Sequence, residues 1–339
     1  MATTVTKIID PDNGSGTDYT SLAAWEAGQQ GDLTGVRDEI AVAKCRCTGG
    51  TADTTSTTID GWTTSATQYI KIWTDPAESY RHAGKWSTAK YRIAVSYDCI
   101  TVNENYFRLD GIQFSVTTER HINTQASGTS EFQISNCIFK GLTGYPHKFF
   151  DNSFADLTGK LWNCLLYDFA GNQAAIRFSA GTWYIENCTI DGTLTDLLVG
   201  VRCSGATMHC KNVLVLGCQF GFYKDSGTLN CNYCATDDDT ADDQAGTGNR
   251  IGQTFTFVDI SNDDYHLASS DAGAKGYGTS SVSCGYSNDI DGETRSDPWD
   301  IGADEYVAAA SSTRVPFRRM NVLLRLCLSV LTLFGRLFR

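Results

Sequence analysis

The fold of this chain is decided by Ile134-Ser-Asn-Cys-Ile-Phe139, a phrase that recurs four times further along the sequence. The later copies are Leu161-Trp-Asn-Cys-Leu-Leu166, Ile185-Glu-Asn-Cys-Thr-Ile190, Cys210-Lys-Asn-Val-Leu-Val215 and Asn230-Cys-Asn-Tyr-Cys234. The Asn residues that follow one another in these copies are 27, 24, 25 and 20 positions apart. A period in this range is typical of proteins built from stacked repeats.

Each repeat contains two short apolar stretches separated by a polar or glycine-containing break, and the pattern between them is not that of an amphipathic helix. Leucine-rich repeats have a similar period, but their regular leucine positions are missing here. The sequence therefore predicts an all-β chain folded as a parallel β-helix, with about ten coils of roughly 25 residues between positions 35 and 306.

Stacked coils bring equivalent side chains about 4.8 Å apart, so the repeats predict ladders at one bend of the solenoid. The predicted members are Asn136, Asn163, Asn187, Asn212 and Asn232, with Cys137, Cys164 and Cys188 beside them. We interpret both ladders as structural, with each amide bonded to the next coil. The alternative is a zinc site from Cys231 and Cys234 with Cys210 or Cys218, because two thiolates at this spacing can share a zinc ion.

The ends of a solenoid need caps, since the terminal coils would otherwise be exposed. The stretch from Asp18 to Ala27 predicts a short helix with Thr20 or Ser21 as its N-cap and with Leu22 and Trp25 against the first coil. We therefore expect an N-terminal segment with a cap helix at 1–34, the β-helix at 35–306, and a linker with a C-terminal helix at 307–339.

Charge separates the body of the chain from its tail. The 339 residues carry a net charge of −12, which disfavours nucleic acid as a partner because phosphate backbones are repelled. Six of the 27 basic residues are arginines between positions 314 and 339, where there is no acidic residue. The remaining 21 basic residues face all 39 acidic ones, so the body is strongly acidic.

The tail from Pro316 to Arg339 predicts an amphipathic helix with one basic stripe and a broad apolar face. Arg318, Arg325, Arg336 and Arg339 lie on the stripe, and Leu324, Leu328, Leu331, Phe334 and Phe338 are among the apolar residues. This anchor or assembly helix can be buried in a homo-oligomer, on a partner protein or at an anionic membrane surface. Folding back onto the solenoid is the remaining alternative. A transmembrane span is disfavoured, because the uncharged stretch is far shorter than about 20 residues.

The repeats and the closing stretch from Asp264-Tyr-His-Leu267 to Asp300-Ile-Gly-Ala-Asp-Glu-Tyr306 resemble right-handed, single-stranded parallel β-helix proteins of the pectin-lyase-like superfamily. The opening Asp18-Tyr-Thr-Ser-Leu22 resembles the start of β-helix proteins of tailed-phage virions and bacterial surfaces. The resemblance covers about residues 15–306, and it is specific for the fold rather than for an activity. The sequence departs from that family at Ala274, where an Asp is usual, so no role of that carboxylate is carried over.

Within the closing stretch we expect a C-terminal cap, in which Asp289, Asp291, Arg295 and Asp300 pin the last coil through charge-assisted hydrogen bonds. Asp289 and Asp291 are also the weak candidates for Ca²⁺, because Asp-x-Asp-Gly opens calcium loops. The later bidentate Glu of such a loop is not at the proper spacing. We interpret the acidic run at 237–243 as a hydrated loop, and we expect no other cofactor.

Polysaccharide-cleaving β-helices need carboxylates clustered on one outer face, with or without Ca²⁺. The charged candidates between the Asn repeats do not share one repeat position; they are Asp168, Arg177, Asp191, Asp196 and Arg202. Metalloprotease, serine-hydrolase and phosphate-loop motifs are also missing. We therefore assign no catalytic residue, and the sequence leans against an enzyme.

The resemblance implies a virion structural protein of a phage, as a capsid decoration, spike or fibre. Residues 1–12 lack a basic region followed by an apolar run, so we expect synthesis in the host cytoplasm and buried, reduced cysteines. The expected partners are further copies of the chain, as a trimer, other virion proteins, and glycans. The alternatives are a carbohydrate-active β-helix enzyme, either a polysaccharide lyase or a glycoside hydrolase, and an adhesin on the bacterial cell surface.

Overall fold

The structure is a computed structural model that describes residues 2–308, except 118–119, 127–128, 142–147, 153–156, 170–173, 194–197 and 242. The predicted C-terminal helix, with all its anchor residues, lies outside the described residues. The described chain is nearly all-β and forms a parallel β-solenoid of about seven turns, which confirms the predicted fold class.

The strands follow one another in short segments separated by tight bends. In chain order they are β1 (Thr3–Ile9), β2 (Glu39–Cys45), β3 (Thr57–Ile59), β4 (Ile70–Trp73), β5 (Arg92–Val95), β6 (Ile100–Val102), β7 (Tyr106–Asp110), β8 (Gln113–Val116), β9 (Arg120–Thr124), β10 (Ser130–Ser135), β11 (Ile138–Lys140), β12 (Lys148–Asn152), β13 (Leu157–Trp162), β14 (Leu165–Tyr167), β15 (Ala174–Phe178), β16 (Thr182–Glu186), β17 (Thr189–Asp191), β18 (Val199–Lys211), β19 (Leu214–Leu216), β20 (Phe220–Asn232), β21 (Ala235–Thr236), β22 (Phe257–Asp259) and β23 (Asp264–Leu267). The helical elements among the described residues are α1 (Leu22–Gln29) and a 3-10 turn at Ile260–Asn262.

Three faces of stacked strands build the solenoid. The first face follows the order β1, β2, β4, β7, β10, β13 and β16, and the second follows β3, β6, β9, β12 and β15. The long strands β18 and β20 belong to both faces, because their first halves continue the second face and their last halves continue the first. The third face is a separate sheet of β5, β8, β11, β14, β17, β19 and β21.

The bend between the first and third faces is a two-residue turn that explains the repeated phrase. Asn136, Asn163, Asn187 and Asn212 each follow a strand of the first face and have positive φ angles between 46° and 54°. Asn tolerates this left-handed conformation better than most residues. The next residue points into the core, and there Cys137, Cys164 and Cys188 are fully buried.

The core between the faces consists of side chains stacked from coil to coil. Phe114 and Phe139 lie on neighbouring coils with ring centroids 5.1 Å apart and planes nearly parallel, at 5°. Phe107 and Phe132 form an edge-on pair at 5.8 Å in the same way. Each fully buried aromatic or aliphatic side chain of this size contributes about 1.5–3 kcal/mol, so the stack stabilises the whole length of the solenoid.

The N-terminal cap helix is present as α1. Ser21 is its N-cap, and its side chain accepts a hydrogen bond from the Ala24 N–H at 3.1 Å. Leu22 and Trp25 are buried. The expected boundary at residue 35 is wrong, however, because β1 already pairs with β2 from Thr3 to Ile9 and belongs to the first face.

The expected number of about ten coils is also wrong. After Thr236 the chain leaves the stacked faces, makes single parallel bridges at Ala245 and Arg250, and then forms an antiparallel hairpin of β22 and β23. Residues 276–306, which we call the closing segment, hydrogen-bond to the bends of coils already formed. The expectation of about ten coils assumed that every stretch of roughly 25 residues up to position 306 forms a coil, and it therefore counted these residues as further coils.

Candidate functional site

The closing segment covers the bend between the first and third faces and binds its Asn side chains. The Asn163 amide donates to the Asn288 carbonyl at 2.8 Å, and the Asn212 amide donates to the Thr279 carbonyl at 2.8 Å. The Asn187 amide donates to the carbonyls of Asp300 and Gly302 at 3.1 and 3.0 Å. The Asn side chains therefore join the coils to the closing segment as well as to one another.

The Asn ladder is interrupted rather than continuous. Asn163 donates to the Oδ1 of Asn136 at 3.2 Å, and Asn212 donates to the Oδ1 of Asn187 at 2.9 Å. The acceptor oxygens of the second and third members bind the closing segment. Arg295 donates to the Oδ1 of Asn163 at 3.1 Å, and the Tyr286 hydroxyl donates to that of Asn187 at 2.7 Å.

Asn232 does not occupy the ladder position that we predicted for it. In the register of β18 with β20, Asn232 lies opposite Lys211, the last residue of the strand. The positive-φ position belongs to Tyr233, with φ of 53°. The phrase around Asn230 is therefore shifted by one residue relative to the four earlier copies.

The buried cysteines line the core beside the bend. Their thiols contact main-chain carbonyls, and Cys164 lies 3.3 Å from the Trp162 carbonyl. Burial raises the pKa values of Cys164 and Cys231, so these thiols stay protonated. Cys231 and Cys234, the basis of the zinc alternative, are likewise inside the core.

Arg295 is the central residue of the closing segment. Its guanidinium is fully buried, and it donates to the carbonyls of Gly302 and Ala303 at 3.1 and 2.9 Å and to Glu305 at 3.4 Å. Glu186 is also buried, and its two carboxylate oxygens accept the backbone N–H groups of Ser283 and Cys284. These buried charges hold main-chain groups of the closing segment.

Asp289 and Asp300 belong to the closing segment and accept hydrogen bonds from its own main-chain N–H groups. Asp289 uses one oxygen to accept the N–H groups of residues 291–293 and the other to accept that of Glu305. Asp300 accepts the N–H groups of Gly276 and Tyr306 at 2.6 and 2.7 Å. Both oxygens of Asp289 are thus engaged with N–H donors, which a calcium ion would have to displace.

Asp291 contacts Asp289, as we expected, but its side chain also faces His266. The Asp291 Oδ2 lies 3.4 Å from the Nε2 of His266, and Asp304 lies beside both residues. We call His266, Asp291 and Asp304 the histidine cluster. The hydrogen bond that His266 donates to Asp291 raises the pKa of His266 to about 9, against the opposing effect of burial. Burial raises the pKa of Asp304 to about 6.

A groove of about 670 Å³ runs along the first face beside the closing segment. Its floor comes from successive strands and its far wall from residues 285–294 of the closing segment; the lining includes Tyr69, Lys71, Arg108, Asp110, Gln133, Ser135, Trp162 and Tyr286. Trp162 and Tyr286 both line the groove and stack on each other, with ring centroids 6.0 Å apart and planes at 14°. The groove therefore combines aromatic surfaces with hydrogen-bonding groups.

The charges in the groove are mainly positive. Arg108 lies 3.5 Å above the ring of Tyr69, and burial lowers the pKa of Lys71, whose ammonium lies 4.0 Å above the Trp73 ring. Asp110 is the carboxylate of the lining, and it forms two hydrogen bonds with Arg81 at 3.0 and 3.2 Å. Although burial opposes ionisation, Arg81 holds the pKa of Asp110 below its usual range.

The charged residues weighed for catalysis are distributed over two faces. Arg177 and Arg202 are directly paired between β15 and β18, so these two share a repeat position. Arg202 forms an ion pair with Asp225 at 2.7 Å. Asp168 and Asp191 lie at the ends of third-face strands, and Asp191 accepts the Tyr265 hydroxyl at 2.9 Å. Asp196 lies outside the described residues.

No family model matches the chain, and no curated protein matches it. Among the described residues, no helix is long and apolar enough to cross a membrane. Sequence, fold and site geometry therefore carry the functional proposal.

Proposed function

We propose that this protein is a structural component of a phage virion, a decoration, spike or fibre protein whose β-helical body is attached through residues 307–339. The observation that carries the proposal is the closing segment, whose buried Arg295 donates to main-chain carbonyls and whose N–H groups at Ser283 and Cys284 are bound by the buried Glu186 of β16. These contacts maintain a rigid body. The resemblance of the opening Asp18–Leu22 to the start of phage β-helix proteins supports the virion as its location.

Attachment is assigned to the tail because its composition differs from that of the body. Residues 1–306 form one compact unit. The sequence of residues 307–339 places arginines along one stripe and Leu and Phe over the rest of the predicted helix. An apolar helix of this kind is stabilised by packing against copies of itself, and a trimer is the assembly we expect.

The test is the mass of the assembled species, measured by light scattering for the full chain and for a chain that ends at Ala310. We expect a trimer or larger assembly that becomes a folded monomer on truncation. A second arm adds anionic lipid vesicles, because binding to them would assign the tail to a membrane surface instead. A full-length monomer that also ignores vesicles would contradict the attachment role.

The groove favours a second candidate function, contact with an anionic glycan. Sugars stack on aromatic rings, and the stacked pair of Trp162 and Tyr286 lines the groove. Lys71 and Arg108 supply cations at neighbouring positions of adjacent strands. Cleavage would need two carboxyl groups about 5–10 Å apart across the sugar, whereas Asp110 is bound to Arg81. We therefore propose binding rather than cleavage at this groove.

The glycan proposal is tested by titrating oligogalacturonate and neutral dextran fragments into the full chain. We expect weak binding of the anionic fragment that is lost in Trp162→Ala and retained in Tyr223→Ala, which removes an exposed aromatic ring from another face. Release of reducing ends or of unsaturated products would favour the enzyme alternative. Equal binding by both variants would exclude the groove as the site.

A further inference from the structure

We propose that the histidine cluster is a binding site for a divalent transition metal ion, with zinc as the ion that fits its donors. One ligand atom from each of His266, Asp291 and Asp304 lies within 4.8 Å of the other two. Nitrogen and carboxylate ligands lie about 2.0–2.2 Å from zinc, so two ligands of a tetrahedral ion are about 3.4–3.6 Å apart. The Nε2 of His266 and the Oδ2 of Asp291 already lie 3.4 Å apart, and a shift of at most about 1.4 Å brings the Asp304 carboxylate to the same spacing.

The orientation of the imidazole is the one that a metal ligand needs. The Nδ1–H of His266 donates to the Oδ1 of Asp264 at 2.6 Å, which directs Nε2 toward Asp291. Lys85 holds the other oxygen of Asp264 at 3.2 Å. Histidines that bind metals almost always donate their second N–H to a carboxylate or carbonyl, which fixes the ring and makes Nε2 more basic. Asp264 is thus a positioning residue for His266.

The cluster also has space beside its donors. A cavity of about 10 Å³ lies beside His266 and Asp304; its lining also includes Gly84 and apolar side chains such as Leu165 and Ile290, but not Asp291. This volume matches about one water molecule or one ion. Gly84 leaves the space open, because a Cβ at that position would lie 2.6 Å from the Nε2 of His266. The Asp291 side chain is 20% exposed, and an ion can reach the cluster past it from solvent.

The charges around the imidazole favour a divalent ion. Asp264, Asp291 and Asp304 bring three carboxylates to one ring, and Lys85 neutralises part of this charge. On binding, a metal–Nε2 bond replaces the Nε2–H bond and the proton passes to solvent. One imidazole with two carboxylates is a donor set that suits zinc, and water completes the fourth position. The ion would join β23 to the closing segment at two points.

The experiment titrates zinc chloride into the metal-free full chain and follows binding by calorimetry. We expect one strong site per chain, which is weakened at least tenfold in Asp291→Asn and His266→Gln. Asp264→Asn should weaken binding by about 10- to 100-fold, the usual effect of removing such a second partner. His209→Gln, which removes a histidine from the first face, is the matched control and should bind as the wild type does.

X-ray absorption of the zinc complex gives the ligand types independently. Nitrogen and oxygen neighbours without sulfur would support the proposal, whereas sulfur neighbours would assign the ion to cysteines and overturn it. Unchanged affinity in Asp291→Asn would also overturn it, and so would a wild type that binds no more zinc than His266→Gln. Because Asp291→Asn keeps the size and shape of the side chain, this variant keeps the test valid even where His266→Gln fails to fold.

Discussion

Acidification is expected to destabilise the solenoid through one buried imidazole, that of His82. The ring is 3% exposed, and its Nε2–H donates to the carbonyl of Asn136 at the bend, at 2.8 Å. Its Nδ1 has no hydrogen-bond partner in the described part of the chain. Burial, together with the nearby Arg81, lowers the pKa of His82 to about 3. The folded protein therefore holds this histidine neutral.

The size of the effect follows from proton linkage. The unfolded chain binds the proton with a pKa of about 6.5, so between that value and the folded pKa the unfolded state carries more protons. Stability is then fully present above about pH 6.5 and is lost as the pH falls. Between pH 7 and pH 5 the loss amounts to about 2 kcal/mol. Any folded pKa below about 4 gives nearly the same figure, because His82 is then neutral at pH 5.

The assay compares the free energy of unfolding of the wild type with that of His82→Gln and His82→Phe in urea at pH 7, 6 and 5. Other titrating groups cancel in the difference between proteins, so the wild type should lose about 2 kcal/mol relative to either variant across this range. Gln keeps an N–H donor for the Asn136 carbonyl, whereas Phe does not, so the two variants separate hydrogen bonding from titration.

Two results would refute the reasoning about His82. The first is a difference between wild type and variants that stays constant with pH. The second is an NMR titration in which the His82 ring of the folded protein changes charge near pH 6.5. Either result would mean that the imidazole accepts a proton without leaving its buried position.

Three further predictions concern the closing segment, the Asn bend and the core. Arg295→Ala should lower the free energy of unfolding by about 3–5 kcal/mol, because it removes one partner of a buried ion pair. A lower melting temperature and new proteolytic cleavage within residues 276–306 would confirm this prediction, and an unchanged digest would contradict it. Asn212→Ala should lower the free energy of unfolding in urea by about 2–3 kcal/mol. About 1–2 kcal/mol of this loss comes from left-handed strain, and the rest comes from lost hydrogen bonds. Asn212→Gly should relieve the strain alone. Peptide mapping after thiol labelling of the native protein should find Cys218 and Cys284 modified before the ten buried cysteines of the described chain, and early labelling of Cys164 would exclude its burial.

The repeated Asn positions show what a local pattern can predict. A residue that follows a strand, adopts positive φ and precedes a core position is most often Asn or Gly, and this preference leaves the phrase visible in the sequence. Tyr233 is an exception to the preference, because the chain places it in the left-handed position of the last copy, and the repeated Asn therefore pointed to Asn232 instead. Sequence spacing alone does not resolve a one-residue shift in register.

The groove and the histidine cluster were beyond the reach of the sequence. Trp162 and Tyr286 are far apart in the chain, and they face each other only because the closing segment runs over the bend. Asp291 was noted as a calcium candidate beside Asp289, yet the structure turns it toward His266. The carboxylates of Asp289 and Asp291 lie in contact, as their spacing suggested, but main-chain N–H groups bind both oxygens of Asp289.

The sequence by itself determined the parallel solenoid, its cap helix and its Asn bend, because period, turn conformation and alternating burial are local requirements that each repeat must satisfy. Only the tertiary structure decided where stacking ends and where the last residues go. Arg295 finds its carbonyls, and His266 its carboxylates, across distances that no repeat period encodes. Those contacts form only when the irregular closing segment packs against the side of the folded solenoid, and that packing depends on the whole surface rather than on one repeat.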